Sequence, residues 1–279
     1  PFAARGLPTM VTLSLKTPLP LGNWKVLSCN TRTRNRYSRC SNLLIRNAVK
    51  FLHKHDVRLH FQKIDSTLRG QPGLDISSAM LESKSTCAFI TPVFPAMGRT
   101  MCNGVLYVRG LPLKQSDEGN DPLSTPHSSS VVDLLERQGG QMIGLVYLSD
   151  IVDGEKAILK RIYELMGKGR RWILFDAVNQ VHLERIEKTV NREYQEGLLV
   201  GSAGLASSMA KRMNAGERPS EFEPNISRGT LLVTCGSVNQ TSLDQLQFLS
   251  TLKDIHYAAI DTEAVLGSQQ TEYEERQRQ

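Results

Sequence analysis

Residues 172–213 read WILFDAVNQVHLERIEKTVNREYQEGLLVGSAGLASSMAKRM. The stretch opens with an apolar run that predicts a short strand over 172–177. Residues 181–195 then predict a helix, 198–201 a second strand ending in Gly201-Ser202, and 204–213 a second helix. A strand, a helix, a strand and a helix in close succession is the signature of parallel strands joined by crossover helices.

The same alternation continues toward the amino terminus. Strands are expected over 11–15, 25–28, 57–64, 86–90 and 142–148, and helices over 41–54, 74–81, 131–138 and 154–166. In the first helix Leu44, Ala48 and Phe51 recur at helical spacing, and in the strand over 57–64 Val57, Leu59 and Phe61 alternate. Residues 109–130 are rich in Gly, Pro, Ser and Asp and predict a long irregular excursion, a feature often tied to function. Toward the carboxyl terminus, 214–229 hold Pro219 and Pro224 with charges and glycines and read as a linker. A further strand (230–235), helix (243–252) and strand (255–260) follow, and 271–279 are polar and charged. The expected fold is therefore α/β, with mostly parallel sheets flanked by helices. It divides into a first domain over 1–213, the linker 214–229, and a second domain over 230–279. That second domain is too small to cover both faces of a parallel sheet by itself.

The chain has 279 residues, 40% hydrophobic and 22% charged, which suits a globular protein with a real core. No apolar run approaches the roughly 20 residues that span a bilayer, and residues 1–10 carry no signal-peptide pattern. The net charge of +6 is mild. Arg32, Arg34, Arg36 and Arg39 form one local cluster, read as a solvated or anion-facing loop in preference to a nucleic-acid surface. Five scattered cysteines with no C-x-x-C pattern speak against a disulfide framework or zinc site and for a reduced, cytoplasmic protein. His53 and His55, two apart on a helix, do not share a face and so are not a metal pair.

Two segments carry the chemistry. The first, KIDSTLRG over 63–70, lies where a strand ends and a helix follows, and ligands of open α/β sheets bind at such strand ends. Lys63 and Arg69 are suited to hold a carboxylate. Asp65 could accept hydrogen bonds from sugar hydroxyls, act as a base toward one, or simply pair with Arg69. The second segment, TPVFPAMGRT over 91–100, has two prolines and Gly98 to stiffen a turn, from which Arg99 could project beside the first motif or lie as an ordinary surface arginine. Asn103 and Gly104 predict a turn into a strand over 105–108. Two Gly-Ser turns, Gly201-Ser202 and Gly236-Ser237, open helices and could bind phosphate or could serve turn geometry alone. No Walker or Rossmann glycine motif is present.

Taken in order, KIDSTLRG, TPVFPAMGRTMCNGVLYVRGLPL, the pair Asp121-Pro122, FDAVNQ (175–180), GSAGLA (201–206) and CGSVNQTSLDQL (235–246) resemble the four-carbon acid sugar kinases across about residues 26–250. The resemblance implies a two-domain cytosolic enzyme that phosphorylates threonate, erythronate or a 3-oxo relative with ATP and Mg2+. It makes Arg32, Lys63, Asp65, Ser66, Arg69 and Arg99 substrate-side candidates, with Asp65 a candidate base, and Gly236, Ser237 and Asn239 nucleotide-side candidates. It implies no nucleic-acid or membrane partner and leaves a homo-oligomer open. Two departures stand out: the family's Asp-Asp-x-Thr-Gly-Ala turn does not precede Arg32, and its Gly-Gly-(Asp/Glu)-Thr-Ala and Pro-Gly loops do not appear before Gln279. The expectation is a chain lacking residues at both ends. The rival reading is a sugar-acid-binding module without kinase activity.

Overall fold

The computed structural model describes residues 1–16, 19, 22–34, 38–120, 125–140, 142–213, 232–236, 240–252 and 255–261. In the first part, strands β1 (Thr9–Thr12) and β2 (Val26–Cys29) are followed by helix α1 (Ser38–Lys54), β3 (Phe61–Lys63), α2 (Pro72–Ser83) and β4 (Ala88–Thr91). Then come β5 (Arg99–Cys102), β6 (Val105–Val108), β7 (Leu111–Pro112), α3 (Val131–Glu136), β8 (Ile143–Val146), α4 (Leu148–Asp153) and α5 (Glu155–Gly167). Strand β9 (Trp172–Phe175), α6 (Gln180–Glu193), β10 (Leu198–Gly201) and α7 (Ala203–Met213) complete this part, and α8 (Gln240–Ser250) lies beyond it.

Five strands form a parallel sheet in the order β3-β10-β4-β9-β8. Every residue of β4, β9 and β10 is buried, as expected of strands covered by helices on both faces. The helices bury one stripe each: Ile158, Ile162 and Leu165 on α5, and Leu183, Ile186 and Val190 on α6. Asn179 caps α6 by accepting the His182 N–H at 2.9 Å. The expected α/β fold with mostly parallel strands is the one that forms.

Two smaller sheets flank the main one. β1 and β2 pair in parallel by themselves. β5, β6 and β7 form an antiparallel sheet whose first turn is Asn103-Gly104, both with positive φ (53° and 71°), the arrangement that favours a two-residue hairpin. Met101 and Ala177 exchange backbone hydrogen bonds at 2.8 and 3.1 Å, which fastens this hairpin to the carboxyl end of β9. The excursion over 109–130 is thus partly ordered by β7 and short 3-10 turns, while 121–124, with Asp121-Pro122, lie outside the described residues.

Three strand expectations are corrected. Only Phe61–Lys63 of the run 57–64 pairs, because β3 has β10 on one side and no strand on the other among the described residues. Residues 232–235 and 255–260 are exposed and form no strand, since no described neighbour accepts their ladder bonds. The chain divides into two compact units, Pro1–Glu223 and Pro224–Gln279; the described part of the second is α8 and these two runs. The expected linker, 214–229, lies outside the described residues.

Candidate functional site

The segment after β3 is anchored before it is polar. Ile64 and Leu68 are each 5% exposed, and the Ile64 N–H donates to the Gly201 carbonyl at 2.8 Å, so the segment runs beside the end of β10. Leu68 adopts a positive φ of 59°, and its N–H closes a turn on the Asp65 carbonyl at 3.1 Å. This turn brings the side chain of Asp65 under its own downstream residues.

Asp65 is the hub. Its Oδ2 accepts Thr67 Oγ1 at 2.6 Å, the Thr67 N–H at 3.2 Å and Arg69 Nε at 2.9 Å, while Oδ1 accepts Arg69 Nη2 at 3.2 Å. Arg34 Nε stands 4.0 Å from Oδ1. Burial pushes this carboxyl up, but the hydrogen bonds from Arg69 and Thr67 and the charges of Arg69 and Arg34 outweigh it and hold it at about 2. A carboxylate so strongly ionised is a weak proton acceptor at neutral pH. Of the roles open to Asp65, the geometry favours the pair with Arg69 over the base.

The loop after β2 is pressed onto this segment. Gly70 has a φ of 87°, and a Cβ there would lie 2.7 Å from the Arg34 carbonyl oxygen. Thr33 Oγ1 donates to Asp75 Oδ2 at 2.8 Å, and Ser41 Oγ donates to Asp75 Oδ1, so one carboxylate in the first turn of α2 ties down the loop and the start of α1. Burial pushes the Asp75 carboxyl up, against the lowering pull of these two hydroxyls. Asp75 escaped the sequence reading because a single acid in a helical pattern carries no signal of long-range partners. Arg34, seen there only as one of a cluster, reaches Asp65.

The remaining candidates separate. Lys63 is exposed at the end of β3, and Ser66 is half-buried beside Asp65. Arg32 lies in the same loop as Arg34, with a φ of 52°, but lines a different groove with Lys16, Lys50 and Lys54 on the β1 side. Arg99 does not project: it is 8% exposed, with Nη2 on Glu118 Oε1 at 2.8 Å and Nη1 donating to the Met97 carbonyl. Arg109 joins the same carboxylate at 3.1 Å. The positive φ of Gly98 (69°) forms the expected turn, but the following strand β5 points Arg99 inward toward the 3-10 turn over Asp117–Asn120. Among the described residues no hydrogen bond or ion pair joins Arg99 to the segment 63–70.

The turn at Gly201-Ser202 serves packing. Ser202, 1% exposed, donates to the Val93 carbonyl at 2.6 Å and accepts the Gly204 N–H at 3.1 Å, so the helix start closes on its own side chain. A Cβ on Gly204 would lie 2.6 Å from the Val93 oxygen. Asp176 of the FDAVNQ run is likewise a bracket: fully buried, it accepts N–H groups from Asn103 at 2.7 Å, Gly104 at 2.9 Å and Leu148 at 3.2 Å. Burial pushes its carboxyl up despite those three donors. Gly236 is exposed, and Ser237 and Asn239 lie outside the described residues. No group of three metal-binding side chains occurs among the described residues, and no described helix is long and apolar enough to cross a membrane.

Comparison with known proteins points one way. A family model described as the sugar-binding N-terminal domain matches residues 1–209. A D-threonate kinase of Salmonella typhimurium is 31% identical over 188 residues, 67% of this chain and 42% of its own length. A D-erythronate kinase of Heliobacterium modesticaldum is 27% identical over 270 residues, 95% of this chain and 60% of its own. The chain thus spans between about two fifths and three fifths of the length of these curated relatives. A solved Haemophilus influenzae protein shares the fold with a TM-score of 0.72 at 24% identity, covering 79% of this chain and 54% of that one. A Bordetella bronchiseptica protein, solved as a domain-swapped dimer with bound citrate, aligns with a TM-score of 0.64 at 25% identity over 75% of this chain and 52% of its own.

Proposed function

We propose, from the premise that this chain belongs to the sugar-binding N-terminal domain family of the four-carbon acid sugar kinases, that it forms the substrate side of a cytoplasmic kinase for a four-carbon sugar acid. The observation that carries the reading is the pairing of Arg34 and Arg69 with one ionised carboxylate, Asp65, just past the carboxyl end of β3 in a parallel sheet. A four-carbon acid is small, anionic and rich in hydroxyls. The positive edge attracts its carboxylate, and Ser66 is the hydroxyl partner next to it. Asp65 fixes the guanidinium plane of Arg69 in place of taking a proton. Threonate, erythronate and 3-oxo-tetronate are the acids named among the relatives. The Bordetella protein was solved with citrate, which is also a small hydroxy acid.

ATP with Mg2+ is the phosphoryl donor of the proposed reaction, supplying an electrophilic γ-phosphoryl group that needs positioning and charge stabilisation. On the nucleotide side, Gly236 alone among the three candidate residues is described. That half of the proposal rests on the family resemblance.

Titration calorimetry of the 279-residue chain with D-threonate, D-erythronate and 3-oxo-tetronate, beside an ATP-consumption assay, tests the reading. Binding of one acid in preference to succinate supports the substrate side. Turnover extends the reading to the kinase, and binding without turnover favours the sugar-acid-binding module. No binding of any of the three acids removes the proposal.

A further inference from the structure

A groove of about 630 Å³ lies beside the parallel pair β1–β2. Its walls are residues 13–16, which follow β1, residues 30–32, which follow β2, and one face of α1. No residue of the segment 63–70 lines it. Ligands of parallel sheets bind where the strands run out into loops, and this groove has that place on the β1–β2 pair. Four cations line it, Lys16, Arg32, Lys50 and Lys54, and no acidic side chain does. Lys16, Arg32 and Lys54 have no ion pair among the described residues, and Lys50 stands 4.0 Å from Glu82, which Arg46 holds more closely at 3.0 Å. Like charges gathered without counter-charges repel one another, and a bound anion removes that cost. Local turns place the two loop cations. The Arg32 N–H donates to Asn30 Oδ1 at 3.1 Å, and the Lys16 N–H donates to Ser14 Oγ at 3.2 Å.

The same groove has apolar walls. Leu15, Leu44 and Phe51 line it, and Leu13 is 62% exposed there. On α1, Asn47, Lys50, Phe51 and Lys54 recur at spacings of three and four and so share one face. Asn47 is exposed, and its side chain makes no hydrogen bond among the described residues. Its amide offers a donor and an acceptor side by side, the pair that a purine edge matches. We propose that this groove binds a nucleoside di- or triphosphate, with the phosphates among the four cations and the ring on the apolar wall beside Asn47. Charge separates this ligand from a sugar acid. A four-carbon acid brings a single carboxylate, whereas one terminal phosphate alone carries about −1.5 to −2 at neutral pH, and each further phosphate adds to it. Three of the four cations are lysines, point charges suited to phosphate oxygens. The volume falls within the roughly 300–1,000 Å³ of small-molecule sites, which gives room for a ring as well as phosphates. Inorganic phosphate would leave the apolar wall bare. The assignment rests on the groove's own residues and stands apart from the sugar-acid reading.

Titration calorimetry of the 279-residue chain with ADP tests the assignment, in metal-free buffer so that the phosphates stay uncovered. Lys16 and Lys54 are exposed and without ion pairs among the described residues, so Lys16→Ala with Lys54→Ala should leave the fold intact, which a melting curve checks. Lys160→Ala, an exposed lysine on α5, controls for lost charge. The expected result is saturable ADP binding, tighter than that of pyrophosphate or adenosine, weakened at least roughly tenfold by the double variant and unchanged by Lys160→Ala. Amide exchange should slow over residues 30–32 and 44–54, and Asn47→Ala should weaken ADP while leaving pyrophosphate unaltered. No binding at millimolar ADP, equal binding by the double variant, pyrophosphate as tight as ADP, protection confined to 232–252, or displacement of ADP by D-threonate would each overturn the proposal.

Discussion

Asp65 and Arg69 meet through two parallel hydrogen bonds, Nε to Oδ2 at 2.9 Å and Nη2 to Oδ1 at 3.2 Å, within a single turn of chain. The fork fixes the plane of the guanidinium, and Thr67 fixes the carboxylate from the other side. The motif therefore holds an oriented guanidinium at Arg69. Replacing Asp65 by Asn keeps the shape but removes the charge and one acceptor. The expected loss is about 1.5–3 kcal/mol in stability together with weaker sugar-acid binding, read by denaturant melts and calorimetry. In a kinase-active parent, near-normal turnover by D65N would leave Asp65 no part as a base.

The same carboxylate sets a pH dependence. Its folded pKa of about 2 lies below the unfolded value of about 3.9. Its stabilisation is therefore complete above about pH 4 and is lost as pH falls through about 2, by about 2–3 kcal/mol in total. Wild type should lose stability relative to D65N across that window and not above it. Urea midpoints at steps between pH 6 and pH 2.5 measure the difference; parallel curves would contradict the pair.

Asp75 should behave with the opposite sign. Its folded pKa is raised by burial, so in the native state it binds a proton more tightly than in the unfolded chain. Wild type should gain stability relative to Asp75→Asn as pH falls from neutral toward the unfolded pKa, and the gain should level off below it. Thr33→Val removes one of the two hydroxyl donors. It should cost about 0.5–1.5 kcal/mol and loosen the loop that carries Arg34, seen as faster amide exchange over residues 30–34.

Much of this was legible in the sequence, and the pattern of misses has a physical cause. β4, β9 and β10 were readable because fully buried parallel strands are short apolar runs between turn residues. The amino-terminal half of the run 57–64 has the right alternation, yet it does not pair, because a strand exists only where a neighbour accepts its bonds. The same holds for 232–235 and 255–260. Lys63 to Gly70 was found from residue types alone, but the inward turn of Arg99 depends on Glu118, nineteen positions away, which no local pattern announces. Asp75 and Asp176 tie together segments distant in sequence, and their roles appear only once the fold brings the donors to them.

Gly70 tests the approach of the two loops directly. Alanine there must adopt a φ near 87° and place its Cβ 2.7 Å from the Arg34 carbonyl. Backbone cannot yield as a flexible side chain can, so Gly70→Ala should cost more than about 1 kcal/mol and weaken ligand binding in parallel. Gly110→Ala is the control: its φ of 86° is equally unfavourable, but nothing lies within 4 Å of the added Cβ. It should lose stability from strain alone and leave binding unchanged.

Glu118 holds two arginines, Arg99 at 2.8 Å and Arg109 at 3.1 Å, and its side chain is only 8% exposed. Removing it strands the buried Arg99 charge, whose Nε already has no hydrogen-bond partner. Glu118→Ala should therefore cost about 3–5 kcal/mol. Arg99→Met with Glu118→Leu removes both charges while keeping apolar volume, and should recover most of that loss. If Arg99 instead served the sugar acid, the double variant would refold stably but lose binding. Retained binding in a stable double variant assigns Arg99 to the scaffold of the β5–β6 hairpin and leaves the grip to the residues around Asp65.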